Sequence, residues 1–172
     1  MNVPEKLINF RVYHDGKDFI GTSDVTLPKM DAMTQTIKGA GIAGEMDTPV
    51  LGHFKSMEVE LNWRTLSENA IVLFQQKGIN LDIRGAVQVY NSESGEYITR
   101  AVKVVIRGVP KGMEMGKLAM GDAMDTKTTL ECDYIKLSID GSTQIELDKY
   151  NYICNIGGTD YLEDVRDALG LN

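Results

Sequence analysis

Clustered positive charge is the first thing this 172-residue sequence lacks: 18 Lys and Arg stand against 25 Asp and Glu, for a net charge of −7. The basic residues are scattered among acids, and gripping phosphate needs them gathered. A DNA-binding module is not expected, although a surface past which DNA slides without sticking is compatible. Cysteine is nearly absent. Cys132 and Cys154 show no CxxC spacing and read as reduced, packed thiols, with no disulfide required. The two histidines, His14 and His53, have no HxxxH or HExxH spacing. With two distant cysteines they would make an untypically spread zinc set, so packed or solvated roles suit them better. GxSxG, SxxK and P-loop patterns are missing, so no catalytic, metal or cofactor residues are assigned. No apolar run approaches the roughly 18 residues of a membrane span. The opening "MNVPEKLINF" shows no signal-peptide pattern, so synthesis and retention in the cytoplasm are expected.

What is present is a chain 42% hydrophobic and 25% charged, the composition of an ordinary folded protein, and residues 1–172 read as one domain. Most segments alternate with period two, as half-buried strands do. "LINFRVY" (7–13), an Asp-Gly turn and "DFIG" predict a hairpin, followed by "VTLP" (25–28). "MTQTIKG" (33–39) and "KSMEVELNW" (55–63) are expected to pair. In the second, Met57, Val59, Leu61 and Trp63 share one face, and Ser56, Glu58, Glu60 and Asn62 the other. "TLSENAIVLFQQKG" (65–78) breaks the rhythm and predicts a helix over about 66–77, with Ser67 as N-cap and Gly78 as stop. Strands follow at 79–90, 97–109 and 126–139, then "TQIELDKYNYICNI" (143–156) and a short C-terminal helix at 161–170. The fold class is mainly β, an antiparallel sandwich or barrel with one flanking helix.

"GAGIAG" (39–44) matches the G-x-G-x-x-G of dinucleotide sites, but such a site needs a helix to start there. Pro49 would interrupt that helix and no βαβ pattern follows. The glycines instead suit the tip of a long, flexible loop between 33–39 and 55–63, able to reach another subunit. A second loop, 110–125, holds Met113, Met115, Met120 and Met124, an adaptable contact surface. The carboxylate pairs Glu58/Glu60 and Glu131/Asp133 could do acid–base work, but solvated or ion-paired strand faces are commoner. On 126–139 the inward face is ambiguous: Glu131 and Asp133 alternate in phase with Ile135 and Leu137, and Leu130, Cys132 and Tyr134 with Lys136.

Several stretches together resemble the major tail tube protein family of contractile-tailed bacteriophages and R-type phage-tail-like bacteriocins. They are "VTLPKM" (25–30), "IKGAGIAGEMDTPVLG" (37–52) leading into "MEVELNW", "VVIRGVPKGMEMGKLAMGD" (104–122), "TTLECDYIKLSIDG" (128–141) and "GGTDYLEDVRDALGL" (157–171). The resemblance implies a structural protein, not an enzyme. It implies six-membered rings stacked into a hollow tube inside a contractile sheath, with four strands per subunit joining a continuous barrel. Implied partners are further copies of the chain, the sheath protein, baseplate or spike and terminator proteins, a tape measure protein in the lumen, and DNA in transit where the particle carries a genome. The implied location is the virion or bacteriocin tail, assembled in the host cytoplasm. With 33–39, 55–63, 97–109 and 126–139 as the inner sheet, Glu58, Glu60, Lys103, Arg107, Glu131 and Asp133 become lumen-facing candidates. Lys103 and Arg107 are then placed to pair across strands with Glu131 and Asp133, and an acidic wall would repel DNA. Gly39, Gly41, Gly44, Met46, Asp47 and the four loop methionines become contact candidates within and between rings. The alternative is a small-molecule-binding β barrel.

Overall fold

The computed structural model describes residues 1–18 and 21–171. Twelve strands and two helices follow in order among them: β1 (Asn2–His14), β2 (Lys17–Asp18), β3 (Thr22–Thr26), β4 (Ala32–Lys38), β5 (Glu45–Phe54), β6 (Glu58–Trp63), α1 (Glu68–Val72), β7 (Ile79–Asn91), β8 (Glu96–Glu114), β9 (Thr126–Ile139), β10 (Ser142–Asp148), β11 (Ile153–Ile156), β12 (Thr159–Asp160) and α2 (Glu163–Leu169). The mainly β, antiparallel architecture expected from the alternation is what forms. Neighbours run β12-β11-β10-β9-β8-β7-β1-β2, while β6 pairs with β9 and β3 with β6. The β1–β2 hairpin turns at Asp15-Gly16, both at positive φ, as the Asp-Gly dipeptide predicts. Of the predicted "DFIG" strand, Phe19 and Ile20 lie outside the described residues.

Two long strands organise the rest. The first half of β9 pairs with β6 and with the last residues of β8, and its second half pairs with β10 and the middle of β8. The sheet thereby folds over: β3 and β6 form one layer with the end of β8 and the start of β9, facing β1, β7 and the middle of β8. Val25 of β3 lines an apolar groove with Phe10, Ile83, Val102 and Val104 from the opposite layer. Between the layers lie Met57 just before β6, Val59, Leu61 and Trp63 of β6, Leu81 of β7, Ile106 of β8 and Leu130 of β9, all essentially inaccessible to solvent. Burying such side chains stabilises the fold by about 1.5–3 kcal/mol each. The Trp63 indole N–H donates to the Thr128 hydroxyl at 3.2 Å, and the Thr126 hydroxyl donates to the Met115 carbonyl at 2.9 Å, so these buried polar groups are satisfied.

Four sequence expectations are corrected. The helix over 66–77 shrinks to Glu68–Val72. Ser67 stands at its N-cap with extended φ/ψ, but the hydroxyl makes no capping bond. Beyond Val72 the amides of Phe74 and Gln75 bond three residues back. Only Ala70 and Leu73 are fully buried, while Ile71 is 53% exposed, so one turn of core contact sustains the helix. Second, 33–39 does not pair with 55–63. It pairs as β4 with β5, inside the segment expected to be a loop. Third, β8 continues to Glu114, which puts Met113 in a strand packed against the core. Fourth, 143–156 is two strands, broken by a turn at Lys149–Tyr152.

Asp148 makes that turn. Its carboxylate is buried and accepts from the backbone amides of Tyr150 and Asn151, each at 3.1 Å, from the Asn151 side chain at 2.7 Å, and from Arg107 at 3.5 Å. Burial alone would raise its pKa; the bonds from Asn151, the Arg107 charge and the Tyr150 amide outweigh that and hold it below the ordinary carboxylate value. Because the folded pKa is depressed, the stabilisation is full above the unfolded value of about 3.9 and is lost as pH falls through the folded one. Asp148→Ala should therefore lose about 1–3 kcal/mol at neutral pH. In urea titrations the difference from wild type should shrink as the buffer is acidified below pH 4.

Candidate functional site

The alternation that makes β9 ambiguous in sequence changes phase within the strand. Arg107 pairs with Tyr134 and Gly108 with Cys132, leaving Asp133 as an extra residue, a β-bulge. Before it Thr126, Thr128, Leu130 and Cys132 point inward; after it Ile135 and Leu137 do. Each phase of the alternation therefore faces the core for half the strand's length. A second bulge at Lys111 reverses the phase of β8, turning Met113 inward after Val104 and Ile106. Gly108 permits the first bulge, since a Cβ there would sit 2.3 Å from the Glu131 carbonyl oxygen.

The bulges divide the predicted lumen residues into two groups. On the outer face of the β3-β6 layer lie Glu58, Glu60 and Glu131, each with a cation. The Lys111 ammonium contacts Glu58 and sits 3.4 Å from Glu131, and Lys127 sits 3.5 Å from Glu60. The Ser56 hydroxyl donates to Glu131 at 2.8 Å. The Glu58 hydrogen bond raises the Lys111 pKa, with Glu131 adding to it, so the lysine stays charged. On the outer face of the other layer lie Asp133, Lys103 and Arg107. Arg107 bridges Asp133 at 3.1 Å and Asp148 at 3.5 Å, whereas Lys103 turns away from Glu131 to Asp82 at 3.5 Å. Lys111 and Lys127 offset Glu58, Glu60 and Glu131, but Asp24 and Glu114 share that face by their pairing with Asn62 and Lys127, so it is partly compensated and still net acidic. Exposed pairs of this kind each contribute about 0–1 kcal/mol.

The contact candidates lie elsewhere. β4 and β5 form a two-stranded ribbon hydrogen-bonded to no other strand among the described residues. Its tip is 39–44, where Gly39, Gly41 and Gly44 all have positive φ. Asp47 accepts from the Thr36 hydroxyl at 2.6 Å. Met33, Met46, Val50 and Leu51 expose between 40% and 59% of their surface. At the ribbon's base residues 50–53 bulge opposite Met33, and Gly52, at φ +66°, is pressed onto Leu162. Met115 and Met120 are exposed on the 115–125 loop, whereas Met124 is tied to the sheet through its amide, which donates to Arg64 at 2.7 Å.

Sequence reasoning missed Lys111, Lys127, Gly108 and Asp148. The signals were there: a glycine interrupting the β-branched run "VVIRGVP" marks a bulge, and Asp-Lys-Tyr-Asn is turn chemistry. Among the described residues no group of three His, Cys, Asp or Glu could hold a metal ion, and no helix is long and apolar enough to cross a membrane.

The family model for phage tail tube protein FII matches residues 4–170. The chain belongs to the phage tail tube protein family. It is 30% identical to the tail tube protein of Escherichia phage P2, over 99% of this chain and all of that one. It is 25% identical to the major tail tube protein of Serratia phage KSP20, over 99% of each. The fold resembles two components of an extracellular contractile injection system solved in its extended state. One is a sheath/tube terminator (TM-score 0.53, 15% identity, 78% of this chain and 96% of that one). The other belongs to a sheath–tube complex (TM-score 0.51, 15% identity, 76% and 88%). Family membership makes the chain a structural tail component rather than an enzyme.

Gly108 offers a test of the bulge. Gly108→Ala should cost about 1–3 kcal/mol by steric overpacking. Gly112→Ala, where a Cβ meets nothing within 4 Å, should leave the thermal midpoint nearly unchanged.

Proposed function

We propose that this chain is the inner-tube subunit of a contractile phage or phage-like tail. Copies form six-membered rings that stack into a hollow tube within a sheath, and the host cytoplasm is the place of assembly. Family membership over residues 4–170 carries the reading. The free ribbon supports it: an isolated two-stranded hairpin is marginal in water, and its exposed apolar side chains need another surface. That surface is a neighbouring copy, contacted by the tip at Gly39, Gly41 and Gly44, by Met46 and Asp47, and by the loop at Met115 and Met120. Baseplate or spike, terminator and tape measure proteins complete the proposed partners, with DNA passing through where the particle carries it.

The proposed lumen wall is the outer face of the β3-β6 layer, bearing Glu58, Glu60, Glu131, Lys111 and Lys127. Lys103, Arg107 and Asp133, on the opposite layer, then face outward. Such a wall passes a polyanion because its lysines are paired with carboxylates and its net charge is negative.

Purified protein at rising concentration should give rings or hollow filaments by negative-stain microscopy; a persistent monomer would overturn the proposal. Protease should cut the 39–44 tip in monomer and spare it in tubes, and equal cutting in both would remove the ribbon from the interface. Glu58→Lys with Glu60→Lys should leave assembly largely intact. The variant should slow DNA ejection from a genome-carrying particle, most at low salt, because four lysines would then face three carboxylates, Asp24, Glu114 and Glu131. Collapse of assembly with unchanged ejection would place these residues in an interface instead.

A further inference from the structure

The ribbon bonds to no other strand among the described residues, yet its base is held by the body of the chain. There the Lys55 amide donates to the Asp31 carbonyl at 2.8 Å, and Met30 and Phe54 pack against the core. A cavity of about 270 Å³ brings Met33, Gly52 and Phe54 of the ribbon to Leu147, Tyr152 and Leu162 of the body. Two contacts cross this junction. The Lys149 ammonium donates to the Lys55 carbonyl at 2.9 Å. Gly52 lies so close to Leu162 that a Cβ would come within 2.6 Å of its side chain, and φ at Gly52 is +66°. Glycine is needed there twice over, once by the backbone and once by the neighbour.

Both contacts come from segments that are themselves tied down. The Lys149 amide donates to the Asp133 carbonyl at 3.0 Å, in the β9 bulge. Leu162 is buried, and its amide donates to the Asp160 carboxylate at 3.1 Å. That carboxylate also accepts from the Cys154 amide at 3.3 Å and pairs with Arg166 at 2.8 Å, while Arg166 donates to the Tyr152 carbonyl at 2.7 Å. The C-terminal stretch "TDYLEDVR" (159–166) thus closes a set of bonds that places one leucine against the ribbon. The lever is long. At about 3.3 Å per residue the seven residues of β4 span roughly 20 Å, so a tilt of about 10° at the base carries the tip roughly 3–4 Å.

We propose that Leu162 and Lys149 are positioning residues for assembly. They clasp the ribbon at Gly52 and Lys55 and fix the direction in which it leaves the body, so the tip is aimed before a neighbouring copy arrives. The proposal rests on the ring reading above and adds to it the device that sets the ribbon's angle. A ribbon aimed in advance loses less conformational freedom on contact, which lowers the cost of association.

Distances in the monomer and the assembly threshold test it together. Spin labels at Gln35→Cys in β4 and Thr99→Cys in β8 report the ribbon's angle below the threshold. The native thiols are buried, and burial pushes both up, Cys132 to about 12, so neither competes for the label. The labelled protein with no further change should give one narrow distance. Gly52→Ala should shift or broaden it and raise the protein concentration at which tubes appear by about tenfold or more. The near-ultraviolet dichroism of the buried Trp63 should stay as in wild type, showing that the body remains folded. Gly16→Ala, also at positive φ but with nothing within 4 Å of a Cβ, should change neither quantity. Lys149→Ala should act as Gly52→Ala does, more weakly, and Lys149→Arg, which keeps a donor, should restore both readings. A broad distance without further change, or Gly52→Ala with an unmoved distance or an unmoved threshold, would overturn the clasp and leave the ring reading intact. Wild-type protein that forms no tubes at any concentration would overturn the ring reading, and the monomer distances would still decide the clasp.

Discussion

One extra residue in β9 governs the molecule. Were Asp133 paired in regular register rather than bulged, the alternation that buries Thr128, Leu130 and Cys132 would continue, leaving Ile135 and Leu137 on the outer face. With the bulge, one continuous strand supplies core side chains to both layers. The bulge depends on close approach: the Glu131 carbonyl fills the space that a side chain at residue 108 would need. The amide of Lys149 donates to the Asp133 carbonyl at 3.0 Å, and that of Cys132 to the Met57 carbonyl at 2.8 Å. The backbone displaced by the bulge is therefore hydrogen-bonded, and the start of the Asp148 turn and the edge of β6 are fixed to it. Arg107 joins the same region from β8, paired to Asp133 and Asp148 together.

This constraint explains which parts of the fold were legible in the sequence. β6 was read correctly residue by residue, because it is short, unbulged and buried on one side throughout. β7 and β8 are legible as strands because both are long alternating runs. β9 could not be assigned an inward face, since period-two reasoning assumes a constant phase and here the phase changes at an acidic residue. The ribbon escaped for another reason. Pro49, Gly52 and the glycine tip are loop signals, yet an isolated pair of strands has free edges where a proline's missing N–H costs little. α1 was overextended because Ile71 and Phe74 supply apolar periodicity without burial. The family resemblance, resting on segments spread along the chain, did not depend on any of these local assignments.

The charged faces also follow from the bulges. Lys111 is the extra residue of β8, and from that position its ammonium reaches carboxylates on two strands, β6 and β9. Reading acidic residues along β6 alone gives a strongly acidic surface; adding the bulged lysine and Lys127 gives a partly compensated one. Electrostatic character in a sheet belongs to neighbouring strands together, because cross-strand distances are shorter than most distances along a strand. A wall of paired charges also responds to salt less than a wall of one sign, since each charge has a partner well inside the screening length of about 8 Å at physiological ionic strength.

The same two bulges separate what is rigid from what is left free. They turn β8 and β9 so that β6 and β3 pack over the core, and this leaves Val109–Glu114 without β7 as a neighbour. A free edge is usually a hazard of aggregation. Here it lies at one end of a four-stranded layer, β3-β6-β9-β8, whose strands pair antiparallel throughout. Self-association through edges of this kind closes when the copies are related by rotation, because each new contact reproduces the last and the final one meets the first. The core residues that define the layers thus also define where, among the described residues, β8 runs on without β7 beside it.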